Sequence, residues 1–280
     1  MRKSDYRTVS QALAVYLFWL RTGLDQTTIA TIFSIDQQPQ VSRYLKQTRE
    51  ALQGFVSDHL GCNSKSREEW LKNNSPIAKS LFDLNENQFA LIADGTYCYI
   101  QKSANNNFQR LTYSVQKKRP LVKPMVVCTT DGYIINIYGL YEATKNDASI
   151  LSDILNNKTT DNTATDNTTT DNNLLEILEK DDLFLLDRGF RDVIEELNHF
   201  QLQAKMPALL EKDQNQLPTI DANNSRFVTK CRWVVEVINA FLKRSFKALS
   251  QVPNVSLSHT IHDYKIAASL INRFHKRLFS

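Results

Sequence analysis

From Thr8 to Leu60, apolar positions recur every three to four residues, a period that predicts helix throughout the stretch. Asp25 stands before the run Gln26 to Phe33 and supplies an N-cap for a short amphipathic helix. The segment "SIDQQ" reads as a tight turn. Pro39 then falls near the first position of a second helix, where its missing N–H leaves nothing unsatisfied. Val41, Tyr44, Leu45, Thr48 and Leu52 form the apolar stripe of that helix. Short helix, turn and longer helix make the helix-turn-helix plan. Its polar side carries Gln38, Gln40, Ser42, Arg43 and Lys46, residue types that meet bases or phosphates. An ordinary helical hairpin has the same pattern. The run Ala12 to Leu20 is about half of the roughly 20 apolar residues that cross a bilayer, so it reads as a core helix and no membrane association is expected.

A connector follows, with Ser66 and Glu69 spaced as a capping box and Asn74-Ser75-Pro76 as a break. From Gln88 the pattern changes to strands. "FALIADGT" is a buried run ending in Asp94-Gly95, "RLTYSVQ" alternates, and "LVKPMVVCTT" is rich in β-formers. Asp131-Gly132 is a hairpin turn into "YIINIYGL", so an antiparallel meander is expected. Residues 156–173 are a Thr/Asp/Asn repeat too polar to offset its ordering entropy, and read as a disordered surface loop. Beyond it the chain reads as a helix ("LLEILEK"), a strand ("LFLLD"), a helix ("RDVIEELNHF"), a polar loop and a long helix from about Asp221 to Ser250. A last helix lies in "TIHDYKIAASLINRFHKRLF". A meander followed by alternating helices and strands predicts an α/β (α+β) architecture with a mixed sheet.

Charge adds a partner class. The net charge is only +4, but Gln101 to Lys123 holds six basic residues and no acid, and Arg226 to the C-terminus holds ten against two acids. Such a surface suits a polyanion; ordinary solvated faces give the same counts. Cys62, Cys98, Cys128 and Cys231 are isolated and lack zinc or redox spacing, which fits a reducing compartment, cytosol or nucleus. The histidines also lack metal-ligand spacing.

Three carboxylates stand in unusual places. Asp94 and Asp187 each close a strand that is otherwise apolar, and strand ends are where α/β sites are assembled. Glu236 interrupts the apolar run Trp233 to Ile238, on a helix face shared with Arg232, Asn239 and Lys243. Each has a plainer reading: a turn acid, an Asp187–Arg188 pair, or an Arg232–Glu236 pair facing solvent. As a set they offer hard oxygen ligands for Mg²⁺ or Mn²⁺. Three carboxylates can hold two ions roughly 3.5–4 Å apart, the arrangement used for phosphodiester cleavage and strand transfer.

These residues carry a resemblance. "IADGTYCYIQK", "YSVQKKRPLVKPMVVCTTDGYI", "LDRGF" and "RWVVEVINAFLKRSF" resemble the DDE superfamily endonuclease domain of PIF/Harbinger-type transposases, with a helix-turn-helix before it. The resemblance implies a ribonuclease H-like catalytic domain over 87–280, a helical helix-turn-helix region over 1–62 and a connector over 63–86. It implies Asp94, Asp187 and Glu236 as catalytic acids and metal ligands, with DNA as substrate. The family's accessory acid falls on Asp147, in a segment that lacks the usual Pro-Gly. For DNA contact the expected residues are Gln40, Arg43, Lys46, Lys117, Lys118, Arg119, Lys123 and Arg188; "KKRP" also reads as a nuclear-import patch. The resemblance also implies a Myb-like accessory DNA-binding protein, and paired-end chemistry implies a homo-oligomer. The function expected is a transposase-like DNA endonuclease. The alternatives are a domesticated, non-catalytic DNA-binding or scaffold protein and an RNA nuclease of the same fold.

Overall fold

In the computed structural model, residues 7–157, 173–210, 216–276 and 278 are described. The Thr/Asp/Asn repeat lies outside the described residues except at its two ends.

Four helices open the chain: α1 (Val9–Thr22), α2 (Gln26–Ile32), α3 (Gln38–Ala51) and α4 (Gln53–His59). Asp25 caps α2, accepting from the Thr28 backbone N–H at 3.0 Å and from its hydroxyl at 2.6 Å. Val41, Tyr44, Leu45 and Thr48 of α3 are buried, while Ser42, Arg43 and Lys46 are exposed, as the periodicity requires. Next come α5 (Arg67–Leu71), with both halves of the Ser66–Glu69 capping box formed, and α6 (Pro76–Phe82). Ser75-Pro76 does more than break a helix: Ser75 caps α6 through the Ala78 N–H.

The remaining elements are β1 (Ala90–Gly95), β2 (Cys98–Ile100), α7 (Asn106–Thr112), β3 (Tyr113–Ser114), β4 (Arg119–Thr129), β5 (Ile134–Glu142), α8 (Asp147–Leu155), β6 (Leu183–Leu185), α9 (Ile194–His199), β7 (Gln203–Lys205), α10 (Thr219–Ser245), β8 (Gln251–Val252) and α11 (Leu257–Phe274). Three expectations need correction. The alternating "RLTYSVQ" is divided: Arg110, Leu111 and Thr112 end α7, whose N-cap Asn105 accepts from Phe108 N–H, and only Tyr113 and Ser114 are strand. "LLEILEK" is no α-helix but a single 3₁₀ turn over Leu174–Ile177, after which the chain is extended at Leu178, and the segment after Asp187 begins as a 3₁₀ turn over Arg188–Val193 before α9. The long helix stops at Ser245, and a 3₁₀ turn follows over Lys247–Leu249.

The central strands run in the order β5-β4-β1-β6-β7. β1, β4 and β5 form the antiparallel meander; β6 and β7 run parallel to β1. The sheet is mixed, as the strand pattern predicts. The first part of β4 also pairs with β2, which continues to β8.

The sheet separates two cores. On one side Ala90, Ile92, Leu183 and Leu185 pack with Val234, Val235 and Ile238 of α10 and with Tyr264 and Ala267 of α11. On the other, Phe89, Leu91, Ala93, Phe184 and Leu186 pack with Ile150, Leu151 and Ile154 of α8. Ala12, Val15 and Tyr16 of α1 belong to the first core, so the N-terminal helices and the sheet share apolar surface. A polar triad fixes that junction: the buried Asp263 of α11 accepts from Tyr16 Oη at 2.7 Å and from Arg49 Nε at 2.6 Å.

Candidate active site

The alternation of β1 decides where its carboxylate goes. Ala90 and Ile92 face the α10 side, so Asp94, at the next even position, leaves the sheet on that side. Ile92 pairs with Leu185, which faces the same core. Asp187, two residues beyond, therefore emerges beside Asp94.

Helix α10 meets them with its polar stripe. Its apolar residues enter the core, while Arg232 and Asn239, both 9 % exposed, turn to the strand ends. Nη2 of Arg232 lies 3.6 Å from Asp94 Oδ1 and 3.5 Å from Asp187 Oδ2. Asn239 Nδ2 donates to Asp94 Oδ2 at 3.0 Å. The Gly189 N–H donates to Asp187 Oδ1 at 2.7 Å, so Asp187 also caps the 3₁₀ turn that follows it. Both plainer pairings give way to this arrangement: the Arg188 guanidinium donates to the Ala208 carbonyl, and Arg232 turns inward instead of forming a solvent-facing pair with Glu236. Glu236 is exposed on the same helix.

Electrostatics couple the acids. Burial raises the Asp94 pKa to about 7; Arg232 opposes the rise, and the charges of Asp187, Asp147 and Glu236 add to it. Asp147 comes from the first turn of α8, on the other side of β1. It reaches the strand because Gly95 has no side chain: a Cβ there would lie 3.0 Å from Asp147 Oδ1. Lys123 turns inward to Asp147 at 3.2 Å and to the Lys145 carbonyl. Lys117, Lys118, Arg119 and Arg188 are exposed. Gln40, Arg43 and Lys46 lie on α3 and take no part in the contacts around Asp94.

Two features at the site carried no assigned role in the sequence. Asn239 shows only as one member of the α10 stripe. Tyr97 is half-buried beside the acids: burial, then the charges of Asp147, Asp94 and Asp187, push its hydroxyl up. The ammonium groups of Lys117 and Lys243 lie 5.0 and 5.9 Å from its ring centre, and Arg119 sits 3.9 Å from that of Tyr99. Burial lowers the Lys243 pKa. The available signal was Tyr97-x-Tyr99 ahead of a basic run.

Among the described residues, no three His, Cys, Asp or Glu side chains converge tightly enough to hold an ion as they stand. The donor chemistry nevertheless fits a hard divalent cation. Asp94, Asp187, Asp147 and Glu236 bring carboxylate oxygens to one end of the sheet; burial, with the charge of the other three acids added, disfavours ionisation of Asp94.

No curated protein matches the chain. Among solved structures it is similar to a chain of the Mos1 mariner paired end complex with Mn, at 13% identity, covering 99% of this chain and 82% of that one; the TM-score of 0.23 is too low for the superposition to bear on the fold. A family profile described as DDE superfamily endonuclease matches residues 93–272, a span that begins one residue before Asp94 and includes Asp187 and Glu236. That match covers well over half of the sequence, and the chain belongs to the DDE superfamily endonuclease family.

Proposed function

We propose that this chain is a transposase-like DNA endonuclease of the PIF/Harbinger type, with Asp94, Asp187 and Glu236 as its acids. One observation carries the reading: within the endonuclease region, side chains from β1 and from the end of β6 meet at one guanidinium of α10, beside Glu236. Asp94, Asp187 and Glu236 would hold Mg²⁺ or Mn²⁺. When bound, such ions activate water or a 3′-hydroxyl and stabilise the leaving oxygen.

The protein's own groups set the geometry for that chemistry. The paired strands β1 and β6 fix the backbones of Asp94 and its neighbour. Asn239 orients Asp94 through Oδ2, and the Gly189 N–H orients Asp187 through Oδ1, leaving Oδ2 toward Arg232. Exposed Lys117, Lys118 and Arg119, with the half-buried Lys243, supply positive charge for the DNA backbone. Arg188 is placed to add to it from the Asp187 side. Helices α2 and α3, read as a helix-turn-helix, would present Gln40, Arg43 and Lys46 to duplex DNA. The reading extends to a nuclear site of action, a Myb-like accessory protein and a homo-oligomer that joins two DNA ends.

The test is nicking of supercoiled plasmid in Mg²⁺ or Mn²⁺, with EDTA and an Asp187→Asn variant as controls. Metal-dependent nicking lost in the variant supports the reading. Equal nicking by both proteins overturns the assignment, and metal-independent DNA binding without nicking favours the non-catalytic scaffold.

A further inference from the structure

We infer that Arg232 is a replaceable internal cation, a positioning residue that competes with a divalent metal ion for Asp94 and Asp187 and so sets the metal affinity of the site. The inference rests on the functional reading above.

The protein contains its own standard for a permanent Arg–Asp pair. Arg67 grips Asp182 with Nη1 to Oδ2 at 2.6 Å and Nη2 to Oδ1 at 2.8 Å. Arg49 Nε meets Asp263 at 2.6 Å. Both are charge-assisted hydrogen bonds of ordinary length. Arg232 differs: one nitrogen, Nη2, is shared between two carboxylates at 3.6 and 3.5 Å, beyond hydrogen-bond length. Its Nε is buried and has no hydrogen-bond partner, which is equally true of Arg67, so the difference lies in the terminal nitrogens: Arg67 makes two short bonds through them and Arg232 makes none to its aspartates. So the guanidinium supplies charge between the aspartates without the directional bonds that would lock it there.

The surroundings favour exchange. Oδ1 of Asn239, beside Asp94, is also buried without a partner. Asp147 and Glu236 act on Asp94 in addition to Asp187, and with Lys123 turned to Asp147, Arg232 is the cation that lies between Asp94 and Asp187. A divalent ion brings twice the charge of Arg232 to the same oxygens and can accept oxygen ligands from several directions. An ion bridging Asp94 and Asp187 therefore has to work against Arg232, and the arginine lowers the site's affinity for the ion.

The test is Mn²⁺ binding to the full chain without DNA, followed by loss of the free-ion electron paramagnetic resonance signal and by thermal melting with Mn²⁺ and with EDTA. Arg232→Gln is expected to bind Mn²⁺ about tenfold more tightly or better, because removing a nearby positive charge favours the ion. It should melt lower than wild type in EDTA and gain more from Mn²⁺. Affinity equal to or weaker than wild type, while Asp187→Asn still weakens binding, overturns the role of Arg232 alone. Undiminished binding in Asp187→Asn overturns the underlying site. Should Arg232→Gln fail to fold, Arg232→Met decides instead. A methionine keeps an unbranched side chain and removes the charge, so tighter Mn²⁺ binding is expected and equal or weaker binding refutes the inference.

Discussion

Asn239 holds Asp94 across the longest sequence separation at the site: its Nδ2 donates to Oδ2 at 3.0 Å over 145 residues of chain. Groups that orient a metal-ligating carboxylate typically matter by 10–100-fold. Asn239→Ala is therefore expected to lower the plasmid-nicking rate by about 10–100-fold. The accompanying loss of stability should be about 1 kcal/mol, the usual net value of one hydrogen bond. Rates from nicking and midpoints from urea melts separate the two effects. An unchanged rate would remove Asn239 from the orienting role.

The raised pKa of Asp94 makes a statement about stability. Its folded value is about 7 against an ordinary 3.8, chiefly because burial disfavours the charged form. Between these values the folded chain keeps a proton that the unfolded chain has released. Folding therefore takes up a proton, and stability falls as pH rises through this window. The contribution of Asp94 is complete below the unfolded value and gone above the folded one. In EDTA, the melting temperature of wild type relative to Asp94→Asn should decline from pH 5 to pH 8. A difference that is flat with pH contradicts the assignment.

Asp182 shows what a structural carboxylate looks like in the same sheet. It is fully buried, binds Arg67 through both oxygens, and accepts the backbone N–H groups of Phe89 and Glu179 at 2.7 and 2.8 Å. Asp182→Ala leaves the guanidinium and both N–H groups without their acceptor. A loss of about 3–5 kcal/mol in urea unfolding is expected, as for other buried pairs broken from one side. A loss under about 1 kcal/mol would mean that water replaces the carboxylate.

The basic residues divide by orientation. Lys117, Lys118 and Arg119 are exposed, whereas Lys123 is turned in toward Asp147. Replacing the three exposed residues with alanine should reduce the slope of log affinity against log salt by about 2–3, near one unit for each phosphate no longer neutralised. Lys123→Ala should leave that slope unchanged while altering nicking. Fluorescence anisotropy with a labelled duplex at several salt concentrations measures both. A slope that responds only to Lys123 reverses the arrangement.

Local signals made much of the fold legible. Asp25, Pro39 and the Ser66–Glu69 spacing each marked a helix start, and Asp131-Gly132 marked the hairpin. Such features depend on a few neighbouring residues. "RLTYSVQ" misled because seven residues of alternation fit the end of a helix as well as a strand, and the Asn105 cap was passed over. At the site, the position of Asp187 could be read from the apolar run before it. What could not be read was the partner of Arg232. Glu236 at helical spacing competes with aspartates that reach the arginine only through sheet register, and register is a property of the folded sheet. Asp182 carries no local signal for the same reason: its partner Arg67 arrives from α5, 115 residues away in the chain.

The most direct measurement is an anomalous-difference map from crystals soaked in Mn²⁺, collected near the manganese edge. The account predicts a peak in contact with both Asp94 and Asp187, near Glu236, with the guanidinium of Arg232 moved off the carboxylates. Well-ordered crystals with no manganese at that position, or with manganese bound only elsewhere, would contradict it.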